Sequence, residues 1–215
     1  GFKNYTQLEA FQHILNENRI LYTYDFVSNR ESVENNGTHG TRVFSIIGAR
    51  QEIYSGVAPK ATFILSVTEA PQEYRIEEYN WLFAAEKADS AGVDVINTSL
   101  GYRRGFTDPS MNYTDEQLDG QTTVITRAAN IAASKGIVLV TSAGNSGSTV
   151  GAPADSPSVL AIGAVDSDEE IVSFSSRGTF TPNVFKPDVV AQGAGTLLVT
   201  AEGNIAGQNG TSFSS

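Results

Sequence analysis

Five short runs of apolar and β-branched residues punctuate the chain: Phe63 to Val67, Val93 to Leu100, Ile137 to Thr141, Val159 to Val165 and Val189 to Ala191. Several are near-continuous rather than alternating, the pattern of strands covered on both faces. Between them the period changes. Tyr74 to Ala91 carries Tyr79, Leu82, Phe83 and Ala85 on one side of a helix, with Glu77, Glu78, Glu86 and Asp89 elsewhere, and Gly92 stops it. Thr122 to Lys135 places Ile125, Ala128, Ala129 and Ala132 at helical spacing and ends at Gly136. A third helix is expected to begin near His39, in H-G-T-R-V-F-S-I-I. Alternating strand and helix predicts an α/β fold with a mostly parallel sheet, as one domain over residues 1–215.

Composition narrows the function. Of the 215 residues, 40% are hydrophobic and 18% charged, as in a globular chain with one substantial core. The net charge of -10 is spread along the chain, so the basic footprint of a nucleic-acid binder is missing. Without cysteine there is neither a disulfide framework nor a thiolate metal site. No apolar run approaches the ~20 residues of a membrane-spanning helix. Five N-x-Ser/Thr sequons occur, at Asn4, Asn36, Asn97, Asn112 and Asn209. Three of them fall where a glycan fits poorly, which reads as a bacterial host that does not N-glycosylate, although chance explains each one alone.

The ends of parallel strands are where an α/β protein does its chemistry. Here they are S-L-G-Y at 99–102, T-S-A-G-N-S-G at 141–147 and the loop before His39. Of the two histidines, His13 sits in F-Q-H-I-L beside Phe11 and reads as structural. His39 lies in an open N-N-G-T-H-G-T context, in the expected first turn of a helix, where the dipole disfavours imidazolium and keeps a base available. The plainer alternative is an exposed loop histidine. Ser212, in G-T-S-F-S-S, is placed as a nucleophile at a helix start, against the commoner reading of an N-cap. Asn145, in S-A-G-N-S-G, can donate its amide to a developing oxyanion, against the reading of a turn asparagine.

Four blocks, H-G-T-R-V-F-S-I-I-G-A (39–49), V-I-N-T-S-L-G (95–101), S-A-G-N-S-G (142–147) and N-G-T-S-F-S (209–214), come in the order and spacing of the subtilisin-like serine peptidases, which the chain resembles. G-V-A-P-K-A (56–61), S-F-S-S-R-G (173–178) and K-P-D-V-V-A-Q-G (186–193) extend the resemblance over nearly the whole length. W-L-F-A-A-E-K-A-D-S (81–90) and S-L-G-Y look most like secreted members from Bacteroidetes-type bacteria. The resemblance implies a three-layer, doubly wound, mostly parallel sheet. It implies polypeptide substrates and an extracytoplasmic location, with a propeptide or accessory domains in the parent chain. Ser212 would be the nucleophile and His39 its base. Asn145, with the Ser212 N–H, would form the oxyanion hole. Ser99, Leu100 and Gly101 would pair with substrate backbone. Val150 and Gly151 would join the pocket for the residue before the cut, where a glycine wall implies a large apolar or aromatic side chain.

The pattern also breaks. The family places an aspartate, in Asp-x-Gly, some tens of residues before the histidine. Upstream of His39 only Asp25 occurs, in T-Y-D-F, without that glycine. Gly1-Phe2 resembles the tail of such a motif, so the expectation is a piece truncated at both ends, its orienting aspartate upstream and its activity impaired. The link A-R-Q-E-I-Y-S (49–55) is too short for the family's calcium loop. Asp115, Glu116 and Asp119 offer carboxylates that calcium can use, but a solvated loop is the favoured reading, so no cofactor is assigned. The rival readings are a pseudopeptidase that retains the fold for binding, and an unrelated α/β sugar or nucleotide binder. The latter lacks any G-x-G-x-x-G or P-loop pattern.

Overall fold

The computed structural model describes residues 1–181 and 183–215. They divide into two compact units: Gly1–Val67 with Thr196–Gln208, and Thr68–Gly195 with Asn209–Ser215.

The first unit opens with a short turn, Glu9–Phe11, leading into helix α1 (Gln12–Asn16) and strand β1 (Ile20–Asp25). Helix α2 (His39–Gly48) follows, then a minimal hairpin of β2 (Arg50–Gln51) and β3 (Tyr54–Ser55), and strand β4 (Phe63–Val67). β4 lies parallel to β1. Helix α2 buries Thr41, Phe44, Ser45 and Gly48, one face at helical spacing. Phe44 is the hub of this core: Phe11 stacks on it at 4.3 Å and Phe63 meets it edge-on at 4.9 Å. The Gly-Val-Ala segment at 56–58 supplies the carbonyls at the end of α2 with donors, since Val57 N–H reaches Ile46 O at 2.9 Å and Ala58 N–H reaches Ile47 O at 2.7 Å.

The second unit is a four-stranded parallel sheet in the order β5 (Val95–Thr98), β6 (Val138–Ser142), β7 (Leu160–Val165), β8 (Val189–Gln192). Helices α3 (Ile76–Ala91) and α4 (Val124–Ser134) pack on each other. α4 buries Ile125, Ala128, Ala129 and Ala132, the residues its periodicity predicts, and Thr123 caps it by accepting from Thr126 N–H at 3.2 Å.

α3 differs from expectation. Its buried face is Glu77, Glu78, Trp81, Ala85 and Ala88, while Tyr79 and Phe83 are exposed. The reason is polar satisfaction. Glu78 accepts from the Tyr113 hydroxyl and from Ile125 N–H, and Glu77 accepts from Ala70 N–H. Trp81 Nε1 donates to Thr98 Oγ1 at 3.1 Å. Two carboxyls with partners can be buried where a hydropathy reading places them in water.

A late hairpin completes the first unit: β9 (Thr196–Val199) and β10 (Ile205–Gln208), antiparallel. Val199 is fully buried in the Phe44 core, and its N–H donates to Ser45 Oγ at 2.9 Å. No helix among the described residues is long and apolar enough to cross a membrane.

Candidate active site

In the second unit, three segments leave the carboxyl side of the parallel sheet or return to it: 99–101 after β5, 143–147 after β6, and 209–215. Together with Gly151 they line one cavity of about 510 Å³, to which Ser99, Leu100, Gly101, Asn145, Gly151 and Ser212 all contribute.

Ser212 sits in a three-residue 3₁₀ turn, Thr211–Phe213, where a helix start was expected. Its Oγ donates a long bond to Ser99 O at 3.4 Å, and Ser99 Oγ in turn lies 3.3 Å from Ser212 O and 3.2 Å from Ser215 Oγ. The turn is launched by Gly210 at φ 155°, ψ 145°, a conformation open essentially to glycine alone.

Asn145 is the best-defined polar group of the site. Its Oδ1 accepts from Thr211 N–H at 2.8 Å and from Thr211 Oγ1 at 3.0 Å. A backbone N–H can only donate, so the carboxamide oxygen must face Thr211. Its Nδ2 is thereby turned away from Thr211, and that side chain is exposed. Thr211 is fully buried, and its Oγ1 also accepts from Gly144 N–H at 3.1 Å. One threonine thus ties the asparagine loop to the serine turn. The sequence analysis did not single it out; the signal available was a β-branched hydroxyl residue between a glycine and the serine.

The loop carrying Asn145 rests on the S-F-S-S-R-G segment. Gly147 N–H donates to Phe174 O at 2.8 Å and Ser176 N–H to Gly144 O at 2.9 Å. Ser176 Oγ lies 2.9 Å from Ser146 Oγ and accepts from Ser146 N–H at 3.2 Å. That motif therefore supports the site from below.

The 99–101 segment ends at a bridge in which Tyr102 and Ala152 exchange backbone hydrogen bonds of 2.8 and 2.9 Å. Gly151 must be glycine here, because a Cβ would fall 2.8 Å from Tyr102 O. Val150 corrects the sequence reading: it is 1% exposed, does not line the cavity, and donates its N–H to Gly178 O at 2.9 Å behind the wall. Two arginines not foreseen there do line it. Arg103 reaches Ser148 Oγ at 2.7 Å, Thr149 O at 3.1 Å and Asp115 Oδ1 at 3.3 Å, with Phe180 beneath its guanidinium. Asp115 is thus taken by arginine. Asp119 accepts from Gln121 N–H, Thr122 N–H and Thr122 Oγ1. The suggested Asp115, Glu116, Asp119 ligand set does not assemble among the described residues.

In the first unit, His39 is the opening residue of α2. It is exposed, yet the protein around it still desolvates the ring enough to hold its pKa below the usual histidine value, with the Arg42 charge acting in the same direction. His13 is structural, as expected: its Nε2 lies 3.0 Å from Pro59 O. Asp25 is buried at the end of β1, where Oδ1 accepts from Val27 N–H and Ser28 N–H at 3.0 and 2.9 Å and Oδ2 from Arg30 Nε at 3.4 Å. A carboxylate so used closes a turn and pairs with Arg30.

The family model described as "Subtilase family" matches residues 11–215. The "Thermophilic serine proteinase" of Bacillus sp. (strain AK1) is 33% identical over 93% of this chain and 45% of its own length. Subtilisin E of Bacillus subtilis (strain 168) is 34% identical over 84% of this chain and 43% of its own. The chain thus spans less than half the length of these relatives. Among solved structures, the prenylagaramide maturation protease PagA superposes with a TM-score of 0.74 over the whole chain and 68% of its own, at 24% identity. A cold-adapted subtilisin-like serine proteinase does so at 0.72, covering 99% of this chain and 67% of its own, at 22% identity. These two speak for the fold, a subtilisin-like α/β architecture with parallel sheets, and the sequence matches for descent: the chain belongs to the subtilase family.

Proposed function

We propose that the protein is a serine endopeptidase that cleaves polypeptides through an acyl-enzyme, acting outside the cytoplasm. In this reading Ser212 Oγ attacks the scissile carbonyl, and His39 takes its proton and returns it to the leaving amine. Asn145 Nδ2 and the Ser212 N–H receive the oxyanion. Ser99 to Gly101 pair with substrate backbone. The glycine wall at Gly101 and Gly151 accepts a large apolar or aromatic side chain before the cut. The aspartate that orients His39 is assigned to the parent protein outside these 215 residues, because Asp25 is committed to its turn.

The observation that carries this reading is the Asn145–Thr211 tie. It fixes the asparagine amide from behind, in a cavity that also holds Ser212. A turn asparagine needs no such anchoring. The parent protein is expected to hydrolyse casein and to be labelled by a fluorophosphonate at Ser212, with both lost in Ser212→Ala. A folded parent protein that does neither overturns the reading and favours a binding protein on the same fold. A peptide library cleaved only before or after charged residues overturns the specificity alone.

A further inference from the structure

The cavity of the second unit carries a charge opposite to that of the chain. The net charge of the 215 residues is -10, yet the only charged residues among the described ones that line the cavity are Arg103 and Arg104. The rest of its polar lining is neutral and includes Ser146, Ser148 and Thr149. Both guanidiniums turn to one carboxylate. Arg103 Nη2 lies 3.3 Å and Arg104 Nη2 3.6 Å from the same Oδ1 of Asp115. One carboxylate against two cations leaves a positive charge in excess.

The two arginines are placed differently. Arg103 is built into the wall. Its side chain is 19% exposed, and its Cβ lies 3.3 Å from where a side chain on Gly151 would begin. Its guanidinium is occupied by Ser148 Oγ, Thr149 O and Asp115. Arg104 is 65% exposed, and the Asp115 contact is its only ion pair among the described residues. The excess charge therefore sits with Arg104, at the rim of the cavity. Glutamates whose charges act on Tyr102, Glu69 and Glu77 among them, oppose that excess. Burial raises both, Glu69 to about 7, which lowers their charge near neutral pH.

Arg104 stands five positions beyond Ser99, whose carbonyl accepts from Ser212 Oγ. Its Cα is therefore at most about 17 Å from that of Ser99. An extended peptide advances about 3.3 Å per residue, so a side chain within about six residues of the cut can meet this guanidinium. A carboxylate is the partner that fits it, through two parallel hydrogen bonds.

We propose that Arg104 is a specificity-determining residue that selects acidic peptides, pairing with an aspartate or glutamate of the substrate near the cut. The proposal rests on the reading of this cavity as the substrate cleft. The large apolar residue before the cut keeps its place at the glycine wall, and the acidic residue is a second requirement beside it.

The test is fluorescence anisotropy on the purified Ser212→Ala variant with two labelled peptides. Both carry one phenylalanine. One has glutamates on either side of it within that span, and the other has glutamines in their place. The glutamate peptide should bind about 3–5-fold more tightly at about 0.05 M salt, and the gap should close at about 1 M. In Arg104→Gln the ratio should fall to about one, and Arg104→Lys, which keeps the charge, should recover part of it. Equal binding of the two peptides, binding of neither, or a preference unchanged by Arg104→Gln overturns the proposal. Hydrolysis by the wild type is a separate readout. A protein that prefers the glutamate peptide but cleaves neither loses the peptidase reading and keeps the acidic selectivity. One that cleaves both with equal kcat/KM keeps the peptidase reading and loses the selectivity.

Discussion

Thr211 grips the carboxamide of Asn145 twice, through its N–H at 2.8 Å and its Oγ1 at 3.0 Å, both on the same oxygen. The two grips differ in what removes them: a side-chain change deletes only the second. If the protein is the peptidase proposed above, Asn145→Ala should lower kcat by about 10²–10³ with little change in KM, as expected for one lost oxyanion donor. Thr211→Val should act in the same direction but less, and Thr211→Ser should restore most of the rate. Steady-state kinetics on a peptide substrate separate these outcomes. A Thr211→Val rate equal to wild type would show that the backbone bond alone holds the amide.

His39 has a pKa below the usual histidine value, chiefly through desolvation. A base works in its neutral form, so kcat/KM should rise as pH rises through that pKa. The acid limb should have its midpoint below ~6.5, the unperturbed value. A limb centred above that value would mean that the aspartate proposed to orient His39 outweighs the desolvation.

Gly210 holds φ 155° and ψ 145° immediately before the serine turn, and a Cβ there would meet the Phe213 ring at 3.5 Å. Gly210→Ala should cost about 1–3 kcal/mol of stability from backbone strain. The strain is relieved by moving the turn, so fluorophosphonate labelling of Ser212 should slow as well. Urea denaturation and labelling kinetics measure the two effects.

Trp81 is the only tryptophan, and its indole N–H ends on Thr98 Oγ1 inside the second unit. Thr98→Val keeps the volume and removes the acceptor. The buried N–H is then orphaned, at a cost of about 1–3 kcal/mol. Trp81 itself reports the change, through a shift in its emission and an earlier urea midpoint.

The strands at 63–67, 95–98, 138–142, 160–165 and 189–192 were legible as short apolar runs, and those at 95–98, 138–142 and 189–192 end at glycine- or serine-containing loops. α4 was legible to the residue because an alanine-rich stripe leaves one face to bury. α3 was legible as a helix but not in orientation, since a hydropathy reading cannot know that Tyr113, Ile125 and Ala70 hold partners for its glutamates. β1 and the β9–β10 hairpin went unread because I-L-Y-T-Y-D and T-L-L-V alternate too briefly to stand out. The serine, the asparagine and the S-L-G segment were legible as motifs. Thr211, Ser176 and Arg103 were not, because these bonds reach partners 30 or more residues away in sequence.

The β9–β10 hairpin belongs to the first unit, although 128 residues of the second unit separate it from Val67 in the chain. Val199 must therefore travel back to Ser45 across 154 positions of sequence. On a ribosome, residues 1–67 emerge before residues 196–208 and cannot close their core until those have been made. The second unit meets no such delay for its four parallel strands, all of which precede the hairpin. The second unit still lacks Asn209–Ser215, the segment that carries Ser212, until after the hairpin has been made. Until then the unit carrying His39 waits with Phe44 and its neighbours incompletely covered, because Val199 belongs to that core.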